Sequence, residues 1–241
     1  STLLFGGYDL ETALIGIKQA GYAALELSAI PGMGDHLPTG AAPHFYDDLR
    51  ARLAASGLVL ESVGGSGALG TERFAPLLAA TGRLGAPYLT LSSGGIADDE
   101  GAWADALGAF RAALPLCQEH GVKLAIKPHV RQVVYNAATA QRFMGELGSE
   151  WVGLNLDNTH LLRSGDDPVA AVAQLCPWVL TACVRDILSD DFSIGRVESQ
   201  IPGKGQADIA GYLRALGQVP GLKYVTVEMV GTKDFALSEV Q

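Results

Sequence analysis

The chain has 241 residues, 48% of them hydrophobic and 18% charged, which fits one large domain or two small ones. Mean hydropathy is +0.21, yet no apolar run reaches the ~18 residues a membrane span needs, so a packed core is expected and global disorder is excluded. Lys and Arg number 17 against 26 Asp and Glu, a net charge of -9, which argues against a nucleic-acid backbone or an anionic membrane surface as partner.

In chain order, short β-rich apolar runs fall at 2–5 (TLLF), 22–27 (YAALEL), 58–63 (LVLESV), 87–92 (PYLTLS), 122–127 (VKLAIK), 152–156 (VGLNL), 179–184 (VLTACV) and 224–228 (YVTVE). Helical spacing occupies the stretches near 10–20, 44–56, 72–84, 101–120, 137–147, 168–176 and 208–217. Gly21, Gly57, Gly85 and Gly121 stand where a helix C-cap glycine is needed before the next run. Asp9, and Asp167 before Pro168, read as helix starts.

Strand–helix alternation implies parallel strands with right-handed crossovers. Eight such units over this length predict an α/β fold, a single (β/α)8 TIM barrel domain spanning 1–241. A doubly wound open sheet is the rival, but the turn after the first run, FGGYDLE, lacks the GxGxxG pattern. Little chain follows the eighth run, so the last helix is expected to be short (near 233–240) or missing. One thin flank would then suit a homodimer. Cys117, Cys176 and Cys183 make no CxxC pair, and the first residues carry no basic, apolar leader. A reducing, cytoplasmic compartment is the expectation.

Barrel closure aims the C-terminal ends of the strands at one central mouth. The polar residues there are Glu26, Glu61, Ser92, Ser93, Lys127 with His129, Asp157 with His160, Cys183 with Arg185 and Asp186, and Glu228. Glu26 and Glu61 also read as solvated strand ends. Asp186 reads better as a loop-organising acceptor, and His120 as a capping cation. His36 and His44 lie in the loop after the second run, where solvated histidines are common. Asp157 and His160, three residues apart just past a strand, can both face a ligand or metal. A lysine finishing an apolar strand, as Lys127 does, needs a carboxylate partner in a barrel interior; snorkelling to solvent is the other reading.

The segments AALELS, VKLAIKPH, VGLNLDNTHLLRSGDDP, TACVRD and IPGKGQADIAGYLRALGQVPGLKYVTVE together resemble the xylose isomerase-like TIM barrels. That family includes sugar and sugar-phosphate isomerases and epimerases, inosose dehydratases and endonuclease IV. The resemblance covers nearly the whole chain. It implies a divalent metal (Mn, Mg or Zn) held by a glutamate, an aspartate, a histidine and a glutamate on strands five to eight. Asp157 and Glu228 match two of these metal ligands, His160 matches a substrate-binding histidine, and His129 matches the histidine after the strand-five glutamate. Lys127 stands where the metal-binding glutamate is expected, and Cys183 where the histidine is expected.

Asp157, Glu228 and Lys127 sum to one negative charge. Adding a dication would leave a net positive charge with an ammonium beside the metal, and repulsion at ~4 Å is worth several kcal/mol at an effective dielectric near 20. The Lys127 ammonium is therefore expected to replace the ion and bridge Asp157 and Glu228, so that no cofactor is needed. Cys183 reads as a soft ligand or, more simply, as a buried inert thiol.

The resemblance implies an enzyme of carbohydrate metabolism, an isomerase, epimerase or related lyase that removes a proton next to a carbonyl of a sugar or polyol-derived substrate. Glu228 is the expected base, with Lys127 and His160 stabilising the enediolate oxygen. His129, Arg185 and Glu26 are the expected substrate-binding residues, Arg185 as a site for a carboxylate or phosphate. Two alternatives stay open here: a Schiff-base lyase using Lys127, and a non-catalytic sugar-binding barrel. The nuclease branch fits poorly, because a metal cluster needs more ligands than the chain's five histidines and their neighbours offer.

Overall fold

The computed structural model describes residues 1–188 and 195–240. Its sheet begins with β1 (Ala24–Ile30) and a two-residue antiparallel strand, β2 (Gly34–Asp35). The parallel strands β3 (Val59–Gly64), β4 (Tyr88–Ser92), β5 (Lys123–Lys127), β6 (Val152–Asp157), β7 (Val179–Val184) and β8 (Thr226–Val227) follow. From β1 to β8 each parallel strand pairs with the next one in sequence. Helix α1 (Leu10–Gln19) precedes β1, and between the strands lie α2 (Pro43–Ser56), α3 (Phe74–Leu84), α4 (Glu100–His120), α5 (Ala137–Leu147), α6 (Asn158–Arg163), α7 (Pro168–Leu175), α8 (Val197–Gln200) and α9 (Ile209–Leu216). Sequential parallel strands with crossover helices define the (β/α)8-barrel architecture. The last described helix, α10 (Leu237–Val240), is short, as expected.

Local chemistry accounts for the helix ends. The Asp9 and Asp99 carboxylates accept from the backbone N–H of Thr12 and Ala102 at the starts of α1 and α4. Gly57, Gly85, Gly121 and Gly148 close α2, α3, α4 and α5 in the left-handed region that glycine adopts without steric cost.

One element departs from the sequence reading. Thr2–Phe5 is a 3-10 turn and not a strand. The Ser1 hydroxyl accepts from Leu3 N–H at its start, and Gly6 N–H bonds back to the Leu3 carbonyl. The turn still occupies the wall between β8 and β1. The Ser1 nitrogen donates to the Val227 carbonyl at 2.8 Å, and Thr2 Oγ1 accepts from Ser28 N–H at 2.9 Å.

The strands have one apolar and one polar face. Leu25, Leu27, Leu89, Leu91, Leu124, Ile126, Leu154, Leu156, Ala182 and Val184 belong to the hydrophobic core together with Ile17, Leu49, Leu77, Phe110 and Phe143 of the helices. Alternation then turns Glu26, Thr90, Lys127, Asn155, Asp157, Thr181, Cys183 and Glu228 inward. A barrel interior is ordinarily filled by branched apolar side chains; this one holds polar side chains, several of which bond one another. Among the described residues no helix is long and apolar enough to cross a membrane.

Candidate active site

Glu26, Lys127, His129, His160, Arg185 and Glu228 all line one pocket of about 190 Å³. Leu3, Ile30, Met33, Leu91 and Val230 give it an apolar side. A larger cavity of about 440 Å³ lies on the flank between α1 and β8, and of the predicted mouth residues only Glu61 reaches it. We place the chemistry in the smaller pocket, because the convergent polar groups are there.

Lys127 ends β5 and Glu228 follows β8, and they meet across the interior. Lys127 Nζ donates to Glu228 Oε1 at 2.8 Å and Oε2 at 2.7 Å, and lies 3.7 Å from Asp157 Oδ2. Their side chains are 13% and 11% exposed, so the lysine does not snorkel to solvent. Burial opposes the Lys127 ammonium, but Cys183, Glu228 and Asp157 around it together more than offset that and hold its pKa above the ordinary lysine value. Burial likewise opposes the Glu228 carboxylate, and Lys127 overcomes that and holds its pKa below the usual range.

Asp157 is fully buried at the end of β6. Its Oδ1 accepts from the Thr159 hydroxyl at 2.8 Å and from Thr159 N–H at 3.0 Å, and its Oδ2 accepts from Arg185 Nη2 at 3.1 Å. Burial works against this carboxylate too, yet Arg185 above all, with Lys127, holds its pKa well below the usual range.

His160 Nε2 lies 4.0 Å from the same Asp157 Oδ2, and the His160 ring stacks on that of His129 with centroids 4.0 Å apart. Burial and the neighbouring Arg185 push the His160 pKa down to about 2, despite Asp157. His129 is lowered chiefly by burial, and its Nδ1 contacts the Val130 carbonyl. Both histidines thus present neutral imidazoles to the pocket.

Glu26 holds the opposite wall. It accepts from Thr90 Oγ1 at 2.9 Å, Ser62 Oγ at 3.3 Å and Ser1 Oγ at 3.1 Å. It is a buried, hydroxyl-bonded acceptor, not a solvated strand end. Glu61 is buried too but outside the pocket; it accepts from the Thr226 hydroxyl at 3.1 Å, and burial pushes its pKa up to about 7. His36 is neither solvated nor in the pocket, since its ring nitrogens contact Thr2 Oγ1 and the Tyr8 carbonyl, each at 3.0 Å. Asp186 takes the loop-organising role.

Three contributors escape a reading of strand ends. Asn158 and Thr159 bond Arg185, and Asn155 Oδ1 accepts from Cys183 Sγ at 3.5 Å. The contiguous polar run Asp157-Asn158-Thr159-His160 was the available signal.

The donor set does not suit the metal that the sequence resemblance implies. A dication at Asp157 and Glu228 would displace or face the Lys127 ammonium and the Arg185 guanidinium, both already paired with those carboxylates. Cys183, in the histidine position, is a buried thiol whose pKa burial pushes well up, which disfavours the thiolate a metal needs. Among the described residues no group of three or more His, Cys, Asp or Glu side chains is arranged to hold an ion.

The fold, with polar side chains gathered at the C-terminal ends of the strands, defines a TIM-barrel protein. The family model for the xylose isomerase-like TIM barrel matches residues 16–236. The chain belongs to this family. A 3-dehydroshikimate dehydratase from Bacillus anthracis is 26% identical over 83 residues, a match spanning 34% of this chain and 30% of that protein's length. Among solved structures, the IOLI protein with a binding zinc atom superposes with a TM-score of 0.77 at 15% identity, covering 99% of this chain and 91% of that one. The probable 3-DHS dehydratase AsbF of Bacillus anthracis gives 0.77 at 16% identity, covering 99% and 95%. A D-psicose 3-epimerase gives 0.71 at 17% identity, covering 94% and 82%. At these identities the structural likeness establishes the fold.

Proposed function

We propose that this protein is an isomerase, epimerase or related lyase that removes a proton next to the carbonyl of a sugar or polyol-derived substrate, without a metal ion. The observation that carries this reading is the Lys127 ammonium seated between Glu228 and Asp157. The epimerase and dehydratases named above support the substrate class, because aldose–ketose isomerisation, epimerisation and β-elimination share the same first step.

In that step Glu228 takes the proton from the carbon beside the carbonyl. The C–H electron pair moves into the new C=C bond, and the carbonyl electrons move onto oxygen, giving an enediolate. Proton transfer neutralises Glu228, so the Lys127 charge it had been pairing becomes available to the new oxyanion. Neutral His160 accepts a hydrogen bond from the hydroxyl beside the reacting carbonyl, and His129, Arg185 and Glu26 orient the hydroxyl and carbonyl groups. Returning the proton from Glu228 to the neighbouring carbon, with the hydroxyl proton passing to the first oxygen, isomerises the substrate; in an elimination the enediolate re-forms its carbonyl, the C=C pair shifts to the β-carbon as the C–O bond breaks, and Glu228 gives its proton to the departing hydroxyl, which leaves as water. A Schiff-base route is disfavoured, because the carboxylates around Lys127 keep its amine protonated and non-nucleophilic.

The test is deuterium wash-in. Ketopentoses, ketohexoses and cyclic keto-polyols are incubated with the protein in D2O containing EDTA, and exchange beside the carbonyl is followed by proton NMR. Exchange that persists in chelator and disappears in Glu228→Gln is expected. No exchange on any of the panel, or exchange that requires added Mn2+, overturns the reading.

A further inference from the structure

Arg185 is 1% exposed, yet it is held from several directions. Its backbone N–H donates to Asn158 Oδ1 at 3.2 Å, and its carbonyl accepts from Asn158 Nδ2 at 2.8 Å. Its Nε donates to Thr159 Oγ1 at 2.7 Å, and its Nη2 to Asp157 Oδ2 at 3.1 Å. Thr159 spends its single hydroxyl hydrogen on Asp157 Oδ1 at 2.8 Å, so only its lone pairs face Arg185. The polarity of that contact is fixed by chemistry and leaves no alternative arrangement.

The remaining guanidinium nitrogen, Nη1, has no hydrogen-bond partner among the described residues, although the side chain lines the pocket. Its two N–H groups are buried and unmet, which a folded protein ordinarily avoids. A purely structural cation opposite Asp157 would not need this arrangement, since Lys127 already faces that carboxylate at 3.7 Å. His160 lines the same pocket with its Nε2 4.0 Å from the same Asp157 oxygen, and its Nδ1, on the other side of the ring, is also unpartnered. Two side chains that line this pocket thus each carry a buried, unpartnered polar atom among the described residues.

We infer that Arg185 Nη1 is the donor that receives the reacting oxygen of the substrate, and that Asn158 and Thr159 are positioning residues that aim it. This rests on the enediolate reading above and deepens it: beside the Lys127 charge that protonated Glu228 releases, Arg185 binds the oxygen on which charge develops. The guanidinium and the ammonium together take up the polarising task that the relatives' metal site would serve. The group it fits is a carbonyl or enediolate oxygen with a hydroxyl on the adjacent carbon, the oxygen on Arg185 Nη1 and the hydroxyl donating to His160 Nδ1. Arg185 is then a catalytic residue, and its partner is an uncharged α-hydroxycarbonyl and not a free carboxylate or phosphate.

The test uses acetohydroxamic acid, a planar mimic of the enediol(ate), titrated calorimetrically into the intact protein in EDTA, alongside the deuterium wash-in assay. Binding to the parent is expected. Arg185→Lys, which keeps the charge and loses the fork, and Thr159→Val, which keeps the volume and loses the hydroxyl, are each expected to weaken it about tenfold or more. Thr159→Ser should restore it to within a few-fold. In wash-in, Thr159→Val should lower the maximal rate with little change in half-saturation. Failure of the parent to bind, or equal binding by the parent and both folded variants, overturns the inference even if wash-in occurs. The expected binding pattern with no wash-in overturns the proposed reaction and leaves the Arg185 site standing. Melting curves establish which variants fold; if Thr159→Val does not, Arg185→Lys and Thr159→Ser decide.

Discussion

Lys127 Nζ contacts both oxygens of Glu228, at 2.8 and 2.7 Å, inside the barrel. These residues lie 101 positions apart and come from β5 and the end of β8. A paired charge so placed is poor evidence of stabilisation, since desolvation offsets much of the attraction. Breaking it is another matter. Lys127→Met leaves Glu228 buried without its cation and should destabilise the fold by about 3–5 kcal/mol. Lys127→Met with Glu228→Met should recover most of that loss and still show no deuterium wash-in. Urea unfolding of the parent, both single variants and the double variant completes the cycle. Additive losses would show that the pair is not coupled.

The same geometry predicts what would restore a metal site. Asp157 and Glu228 already converge on Lys127, and Cys183 Sγ lies 3.4 Å from Glu228 Oε2. Lys127→Glu with Cys183→His replaces an ammonium and a thiol by a carboxylate and an imidazole, an N/O donor set suited to Mn2+ or Zn2+. Calorimetry should show stoichiometric Mn2+ binding to the double variant, and none to the parent at the same concentration. Equal affinity in both proteins would mean that the ammonium does not stand in for a cation.

How much of this was legible beforehand follows from what each feature depends on. The helices and the inward polar strand ends follow from periodicity and capping, which are local. Seven of the predicted mouth residues line the pocket, Glu26, Ser92, Lys127, His129, His160, Arg185 and Glu228, because strand ends converge in any such barrel. Thr2 and three apolar residues behind it carry no usable period, so the 3-10 turn was indistinguishable from a strand. The Asp157–Arg185 pair depends on the β6–β7 register, which shifts between Leu154 and Asn155. Glu61 lies where the β1–β3 register shifts by one residue, opposite Leu25/Glu26. No strand pattern in a single sequence announces such an irregularity.

Glu61 gives a pH prediction with a definite sign. Its pKa is pushed up to about 7 by burial, from 4.5. The folded state therefore holds a proton that the unfolded state releases. Stability contributed by neutral Glu61 is full below pH 4.5 and is lost as pH rises through about 7. The total is about 3 kcal/mol at one pKa unit per ~1.4 kcal/mol. Glu61→Gln keeps an acceptor for Thr226 and removes the ionisation. Unfolding free energies at intervals from pH 4.5 to 7.5 should show the variant gaining on the parent as pH rises. Parallel curves would place Glu61 in a wetter setting than its burial indicates.

Asp186 yields the last prediction, on the loop that follows β7. Its carboxylate accepts from Ile187 N–H at 2.9 Å, Gly203 N–H at 2.8 Å and Ala207 N–H at 3.0 Å. These backbone donors hold its pKa below the usual range despite its burial. Gly205 packs so closely that a Cβ there would lie 2.3 Å from Asp186 Oδ1. Asp186→Ala removes one acceptor shared by three buried or part-buried donors and should cost about 2 kcal/mol. Amide exchange should accelerate at Gly203 and Ala207 and remain unchanged in β5, because no β5 hydrogen bond is touched. Gly205→Ala should reproduce the same exchange pattern by pushing the carboxylate off its donors. If Asp186→Ala leaves those two amides as protected as before, the loop is held by its own turns and the carboxylate is incidental to it.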